Sequence, residues 1–384
     1  MIAEKFYTDE HRMFQQAVRR FVDDEILPHR QEWEKAGTVP RELWLKAARM
    51  GMLCCDVPEE FGGVGGDFIY SVILTEEMAR VGGGGPVFSL HSDVAVPYVT
   101  RYGTPEQKRQ WLPKAVSGEA LFAIAMTEPH AGSDLQAIRT TARLEKGEYV
   151  IRGQKTYISN AEQAHVVIVA CKTDPTAGAK GISLILVETN RPGFVKGKAL
   201  EKIGRKAQDT LELFFDDVRV PAGNLIGGEE NKGFAQLMGM LAKERLTSAV
   251  RYVAVMQFVL EETIRFVKER QVFGKPIAAF QNTQFELADL WSGYLVQKVF
   301  LEWCVEKYLA GKLTPVEAAA VKLRGSEFEG ELIDKCLQFF GGMGYMWETP
   351  IARAYADARV DRIAAGSSHI LKMIIGRDLL KAGH

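Results

Sequence analysis

The chain has 384 residues, too many for one ordinary hydrophobic core, so two or three domains are expected. Lys plus Arg (48) balance Asp plus Glu (49), and a net charge of −1 excludes the broad basic surface of a nucleic-acid binder or a polybasic membrane anchor. A hydrophobic content of 47% with 25% charged residues excludes a disordered or fibrous chain.

Residues 1–117 read as helices. Phe14, Val18, Phe21, Val22 and Ile26 recur at spacings of three and four, the stripe of an amphipathic helix. Pro40 stands near the start of the next helical run, through Arg41-Glu42-Leu43-Trp44. Gly-rich loops are expected at Phe61 to Gly66 and at Gly82 to Gly85.

From about Leu121 to Pro221 the period changes. His165 to Ala170, Gly181 to Val187, Tyr149-Val150-Ile151 and Thr210 to Phe215 are short apolar runs bounded by turn residues. No helix-length segment lies between them, so a small antiparallel sheet is expected. From about Asn231 the chain turns helical again. Residues 240–273 hold neither Gly nor Pro, and Ala249, Val253, Met256, Val259, Leu260, Ile264 and Val267 keep a helical stripe. Some 34 such residues make a helix of about 50 Å, a length that suggests a bundle. Further stripes lie within 281–311 and 316–337. The expected domains are 1–117 (helical), 118–225 (small β) and 226–384 (four-helix bundle): an α+β fold that is mostly α.

No run approaches the ~20 apolar residues of a membrane-spanning helix. The start, Met1-Ile2-Ala3-Glu4-Lys5, carries an acid early and leads into no long apolar run, so no signal peptide and a cytoplasmic location, in a bacterial cytosol, are expected. Five cysteines (Cys54, Cys55, Cys171, Cys304, Cys336) with no C-x-x-C pair read as reduced thiols. The seven histidines form no H-E-x-x-H pair, so no metal is expected.

Two segments begin to carry chemistry. Ala125-Met126-Thr127-Glu128-Pro129-His130-Ala131-Gly132-Ser133-Asp134 crowds hydroxyls and backbone N–H groups into one turn, which suits a polar ligand edge or a phosphate. Taken alone it fits an ordinary polar loop better. Gly153 to Asn160 sets Tyr157 and Ser159 two apart, on one face of a strand. A flat aromatic cofactor suits that face, and so does a cross-strand packing pair.

Together with later segments these resemble the acyl-CoA dehydrogenase family across essentially the whole chain. The later matches are Arg270 to Lys275, Gln281, Gln338 to Tyr345, Ala356 to Arg359 and Gly366 to Ile370, in the family's order. The resemblance implies an FAD enzyme that oxidises an acyl-CoA to the trans-2-enoyl-CoA. It implies a homotetramer, a dimer of dimers, that passes electrons to an electron-transfer flavoprotein. Ile124, Met126, Thr127 and Ser133 would line the flavin, with Ser133 also beside CoA. Tyr157, Ile158 and Ser159 would lie beside the isoalloxazine. Arg270 would meet the pyrophosphate, a charge-assisted fork, with Phe273 in the same segment. Gln281, Gln338, Gly341 and Gly342 would reach FAD across a subunit interface, and Ser367 and His369 would complete the cofactor set. His369 stands where relatives usually carry Gln or Glu.

The general base departs from the commonest pattern. Many members carry Y-E-G-T near the C-terminus, whereas this chain has Ala364-Ala365-Gly366-Ser367. Alanine takes no proton. The branches acting on long-chain acyl-CoAs and on isovaleryl-CoA place their Glu, followed by Arg, at the position of Glu244-Arg245 in Leu241 to Leu246. Glu244 is therefore the expected catalytic base for the pro-R α-proton, while the β-hydride goes to flavin N5. Burial would raise its pKa and Arg245 would temper the rise. The thioester oxygen would meet the Ala365 N–H and the flavin ribityl 2′-hydroxyl, with Gly366 and Arg377 also on the substrate side. Small residues at 364 and 365 widen the acyl end, and Lys206 to Leu213 and Gly344 to Glu348 look closest to the long-chain branch. A long-chain or branched substrate follows. Two alternatives stay open: an O₂-using flavin oxidase of the same fold, and a non-catalytic subunit of a hetero-oligomer.

Overall fold

A computed structural model describes residues 4–82 and 85–381. The Gly82 to Gly85 loop and the three residues at each end lie partly or wholly outside that range. Six α-helices open the chain: α1 (Asp9–Phe21), α2 (Arg30–Ala36), α3 (Arg41–Arg49), α4 (Phe68–Ala79), α5 (Val96–Tyr102) and α6 (Pro105–Val116). Thr8 caps α1 and Thr104 caps α6, each accepting the backbone N–H three residues on. The predicted stripe is inward: Val18, Phe21, Val22 and Ile26 are buried, the last two in a π-helical turn (Val22–Ile26) that prolongs α1. Helix α4 is buried almost throughout and sits between α1 and the long helix described below.

The middle of the chain forms a seven-stranded sheet from β1 (Phe122–Ala125), β2 (Thr141–Glu145), β3 (Glu148–Ser159), β4 (Val166–Lys172), β5 (Ile182–Glu188), β6 (Phe194–Ala199) and β7 (Thr210–Pro221). Its order is β1-β4-β2-β3-β7-β6, with β5 also on β4. The sheet is mixed where a purely antiparallel one was expected: β1 runs parallel to β4, and β2 touches β4 in parallel at Thr141 and Lys172. The reason is connectivity. β1 and β4 are separated by the β2–β3 hairpin, and a crossover of that length can return a strand in the same direction. Every residue of β4 is buried, as a strand covered on both faces must be.

Four helices close the chain: α7 (Gly233–Glu269), α8 (Gln281–Leu309), α9 (Pro315–Phe340) and α11 (Ser368–Lys381), with the shorter α10 (Pro350–Ala358) between the last two. Helix α7, at 37 residues, is longer and earlier than the pattern suggested. It passes through Gly239 because the Tyr102 hydroxyl fills the space there, 2.3 Å from where a Cβ would stand. It stops at Arg270, where a two-residue hairpin of β8 (Gln271–Val272) and β9 (Lys275–Pro276) begins. Helices α7, α8 and α9 pack on one another, and α11 lies on α9 through Leu371, Ala319 and Leu323. The fold is therefore an N-terminal helical domain, a middle β domain and a C-terminal helical domain. Among the described residues no helix is long and apolar enough to cross a membrane, and the five cysteines are free and buried.

Candidate active site

Helix α7 places Lys243, Glu244, Arg245, Leu246 and Thr247 in succession, and all five are buried. A helix hidden on every side at one level cannot leave a carboxylate facing water. Glu244 is 5% exposed, and its Oε1 accepts a hydrogen bond of 2.9 Å from the Tyr98 hydroxyl on α5. Burial pushes the Glu244 pKa up to about 7, against the opposing pull of the Tyr98 bond and then of Arg245 and Lys243. A value raised into this range suits a carboxylate that takes up a proton near neutrality.

Arg245 is 4% exposed and its Nε has no hydrogen-bond partner. Its guanidinium faces the loop before α11: a Cβ on Gly366 would lie 3.7 Å from its Nη2. That loop is held in an unusual backbone. Ala365 has φ +53° and Gly366 φ +95°, and left-handed φ at a residue with a Cβ persists only where its surroundings fix it. Lys322 on α9 does the fixing, donating to the carbonyls of Asp361 (2.7 Å) and Gly366 (2.9 Å). The structure therefore brings Glu244, Arg245, Ala365 and Gly366 into one neighbourhood.

The two motif segments of the β domain meet as well. Lys155 and Glu128, at 0% and 2% side-chain exposure, form an ion pair of 2.8 Å. Lys155 also donates to the Met126 carbonyl (3.0 Å), and the Thr156 N–H donates to the Thr127 carbonyl (2.9 Å). Glu128 takes two further backbone N–H groups, from Arg139 and Thr140. Nothing local in either motif singles out Lys155 or Glu128; opposite charges in two motif segments of one small domain were the available signal.

The pinned loop leaves Thr127 half-buried and Ser133 exposed, at the end of β1, where Ile124 and Met126 are half-buried. On β3 the register shifts between Lys155 and Ile158, and Tyr157 takes φ +60° with 68% of its surface exposed. Tyr157 and Ser159 lie off the core, yet the alternation runs through a bulge, with Lys155 and Thr156 both buried. The Ser159 hydroxyl is 3.2 Å from that of Thr210. Ile158 turns its side chain into the β core, so only its backbone is open to a ligand.

The remaining cofactor candidates sit elsewhere. Arg270, Phe273, Gln281, Gln338, Gly341 and Gly342 are all exposed, Phe273 at 95%. They cluster at one end of the bundle, where Phe266 of α7 stacks on Phe340 of α9 with ring centroids 4.3 Å apart. Glu244 and Arg270 are 26 residues apart on one helix, about 39 Å along its axis. One chain does not bring these two groups together. Ser367 is half-buried, and His369 and Arg377 are exposed on α11.

An FAD fits this division. Thr127, Tyr157 and Ser159 offer hydroxyls and an exposed ring at the β domain, while Gly341 and Gly342 leave open backbone at the far end, where a Cβ would meet nothing within 4 Å.

Comparison with known proteins agrees along the whole chain. Residues 8–119, 123–218 and 231–380 match the family models described as acyl-CoA dehydrogenase N-terminal, middle and C-terminal domains. The long-chain specific acyl-CoA dehydrogenase of pig mitochondria is 46% identical over 98% of this chain and 88% of its own. The crystal structure of an acyl-CoA dehydrogenase from Geobacillus kaustophilus superposes with a TM-score of 0.94 at 44% identity, covering 97% and 99% of the two chains. A glutaryl-CoA dehydrogenase from Mycobacterium smegmatis, in complex with FADH2, superposes at 0.91 with 26% identity, over 99% and 97%.

Proposed function

The chain belongs to the acyl-CoA dehydrogenase family and is an oxidoreductase acting on acyl-CoA, and from that premise we propose that Glu244 is the base of an α,β-dehydrogenation yielding the trans-2-enoyl-CoA. The observation that carries this is a buried carboxylate with a pKa near 7 on a rigid helix, in a family that needs such a base. The ionised Glu244 takes the pro-R α-proton. Tyr98 holds the carboxylate in place and spares it part of the cost of charge in a dry site. The Ala365 N–H, presented by a loop clamped through Lys322, faces the thioester oxygen as it gains enolate charge. Arg245, beside Gly366, keeps the local potential positive, and Ser133 and Arg377 serve the CoA side. FAD, held by the Ile124 to Ser133 and Tyr157 to Ser159 segments, supplies the acceptor for the β-hydride.

The ~39 Å between Glu244 and Arg270 along α7 supports a cofactor shared between copies: one copy gives the β-domain residues, the other Arg270, Phe273, Gln281 and the Gln338 to Gly342 turn. Helix α8 supports the same assembly. Phe285, Leu295, Val296, Val299 and Trp303 expose an apolar stripe on it, from 41% to 64%, an area a soluble chain normally covers. The assembly proposed is a homotetramer, with an electron-transfer flavoprotein as acceptor and a cytoplasmic location. The domain limits proposed are 1–117, 118–225 and 226–384. A long-chain or branched substrate is supported by Ala364 and Ala365 and by the long-chain relative.

Anaerobic titration of the flavin-bearing protein with acyl-CoAs of increasing length tests this reading. Loss of visible flavin absorbance with long chains is expected; no loss with any length refutes it, and a sharp optimum at butyryl-CoA refutes the substrate class. Val296→Asp with Val299→Asp is expected to give smaller species by light scattering and to strip most of the FAD. A tetramer holding full FAD would refute the shared site.

A further inference from the structure

Two turns beyond Glu244 the character of α7 changes. Glu244, Ser248, Arg251 and Val255 follow one another at spacings of four, three and four, so they share a face. Arg251 stands about 10 Å along the axis from Glu244, the reach of an extended chain of about eight to ten carbons. A cavity of about 110 Å³ lies there. Leu74, Met78 and Val255 line its apolar side, and Arg205, Arg251 and Glu329 its polar side.

That polar side is a cluster of ionisable groups gathered on Asp361. Arg205 and Arg251 both reach one carboxylate oxygen of Asp361, which is 1% exposed. The Glu329 carboxyl, 0% exposed, hydrogen-bonds Asp361. Burial, and then the Asp361 charge, keep the proton on Glu329 well above the usual carboxylate range, while Arg251 opposes them. A buried polar group left unmatched costs about 1–3 kcal/mol, and native proteins rarely leave one so. A wall meant only for an alkyl tail is better made of apolar side chains, which lose nothing when the tail arrives. Here a plain methyl end would strip water from two guanidinium groups and a carboxyl group and offer them no bond in return.

We propose that this cavity receives an oxygen function, a hydroxyl or keto oxygen, carried on the acyl chain about ten to twelve carbons from the thioester. The proposal rests on Glu244 as the reacting end of the site. The oxygen accepts from Arg205 or Arg251, and Glu329 supplies the complementary bond; the hydrocarbon between crosses the apolar side. The cluster is tied to the reacting end, since Lys322 bonds both the Asp361 and the Gly366 carbonyls. Sites built to bond a substrate hydroxyl discriminate strongly against the analogue that lacks it.

The test compares 12-hydroxydodecanoyl-CoA with dodecanoyl-CoA by kcat/KM, and by dissociation constants on the Glu244→Gln protein, where binding is read without turnover. A preference of about tenfold for the hydroxylated chain is expected. The preference should vanish for the 6-hydroxyhexanoyl and hexanoyl pair, whose ends fall short of Arg251. Glu329→Leu should reverse the twelve-carbon preference and Glu329→Gln, a neutral isostere, should keep most of it; each ratio is internal to one protein. Equal or better use of dodecanoyl-CoA by the unmodified enzyme would overturn the proposal, leaving a water-filled void as the reading. So would a Glu329→Leu protein with an unchanged ratio. Silence with every chain length would instead overturn Glu244 chemistry, and this proposal with it.

Discussion

Glu128 and Glu244 are equally hidden, at 3% and 5% exposure, and end in opposite states. Burial works to raise both. At Glu128 it is outweighed by the Lys155 ammonium 2.8 Å away and by two backbone N–H groups, so the carboxyl stays below its ordinary range. At Glu244 one neutral hydroxyl and two less direct cations do not suffice, and the value stands near 7. The first arrangement holds a charge still so that two loop segments keep their places. The second leaves a charge poised so that a proton can move. Burial alone therefore does not mark a functional carboxylate; the number and kind of partners do.

Removing each carboxylate's chemistry separates the two roles. Glu244→Gln keeps the shape and removes the proposed base, and kcat is expected to fall by about 10³-fold or more, within the range for a positioned general base; stopped-flow reduction kinetics check it. Lys155→Met takes the ammonium partner from the buried Glu128 carboxylate, which is expected to destabilise the protein by about 3–5 kcal/mol in denaturant melts. Its losses in activity should track lost folded protein.

The pH behaviour of stability should part the two sites as well. A folded-state pKa of about 7 against 4.5 unfolded means that the native protein binds the extra proton between those values, so the Glu244 contribution falls as pH rises through that window. Glu244→Gln is then expected to stabilise the fold by about 3 kcal/mol above pH 8 and to change little below pH 4.5. Glu128, held low, behaves the other way: its contribution is full at neutral pH and is lost as acid protonates it. Tyr98→Phe is the finest test. It removes the bond that opposes burial at Glu244, so the rising limb of kcat against pH should move upward from about 7 by a fraction of a unit to one unit. A profile unmoved would assign the limb to another group.

The parts of this site differ in how legible they are from sequence. The long helices are written in their stripes, because periodicity reports the face that packs. Glu244 is not: pattern alone puts a lone Glu beside Arg on a solvated face, and only the resemblance to the long-chain and isovaleryl branches selects it. Its partner Tyr98 is 146 residues away, and nothing local couples them. The same holds for Arg251, Glu329 and Asp361, three ionisable residues on three segments that tertiary packing brings together. The bulge at Tyr157 escapes the period-two reading because an extra residue in a strand leaves composition unchanged. Parallel pairing of β1 with β4 escapes it too, since strand direction is a property of connections.

The most direct measurement is anaerobic reduction of the bound flavin by dodecanoyl-CoA in the unmodified protein and in Glu244→Gln, at pH 8, where Glu244 is ionised. The unmodified protein should bleach within its turnover time, and the variant should bind the thioester and keep its visible absorbance. A Glu244→Gln protein that bleaches at the unmodified rate would place the base elsewhere.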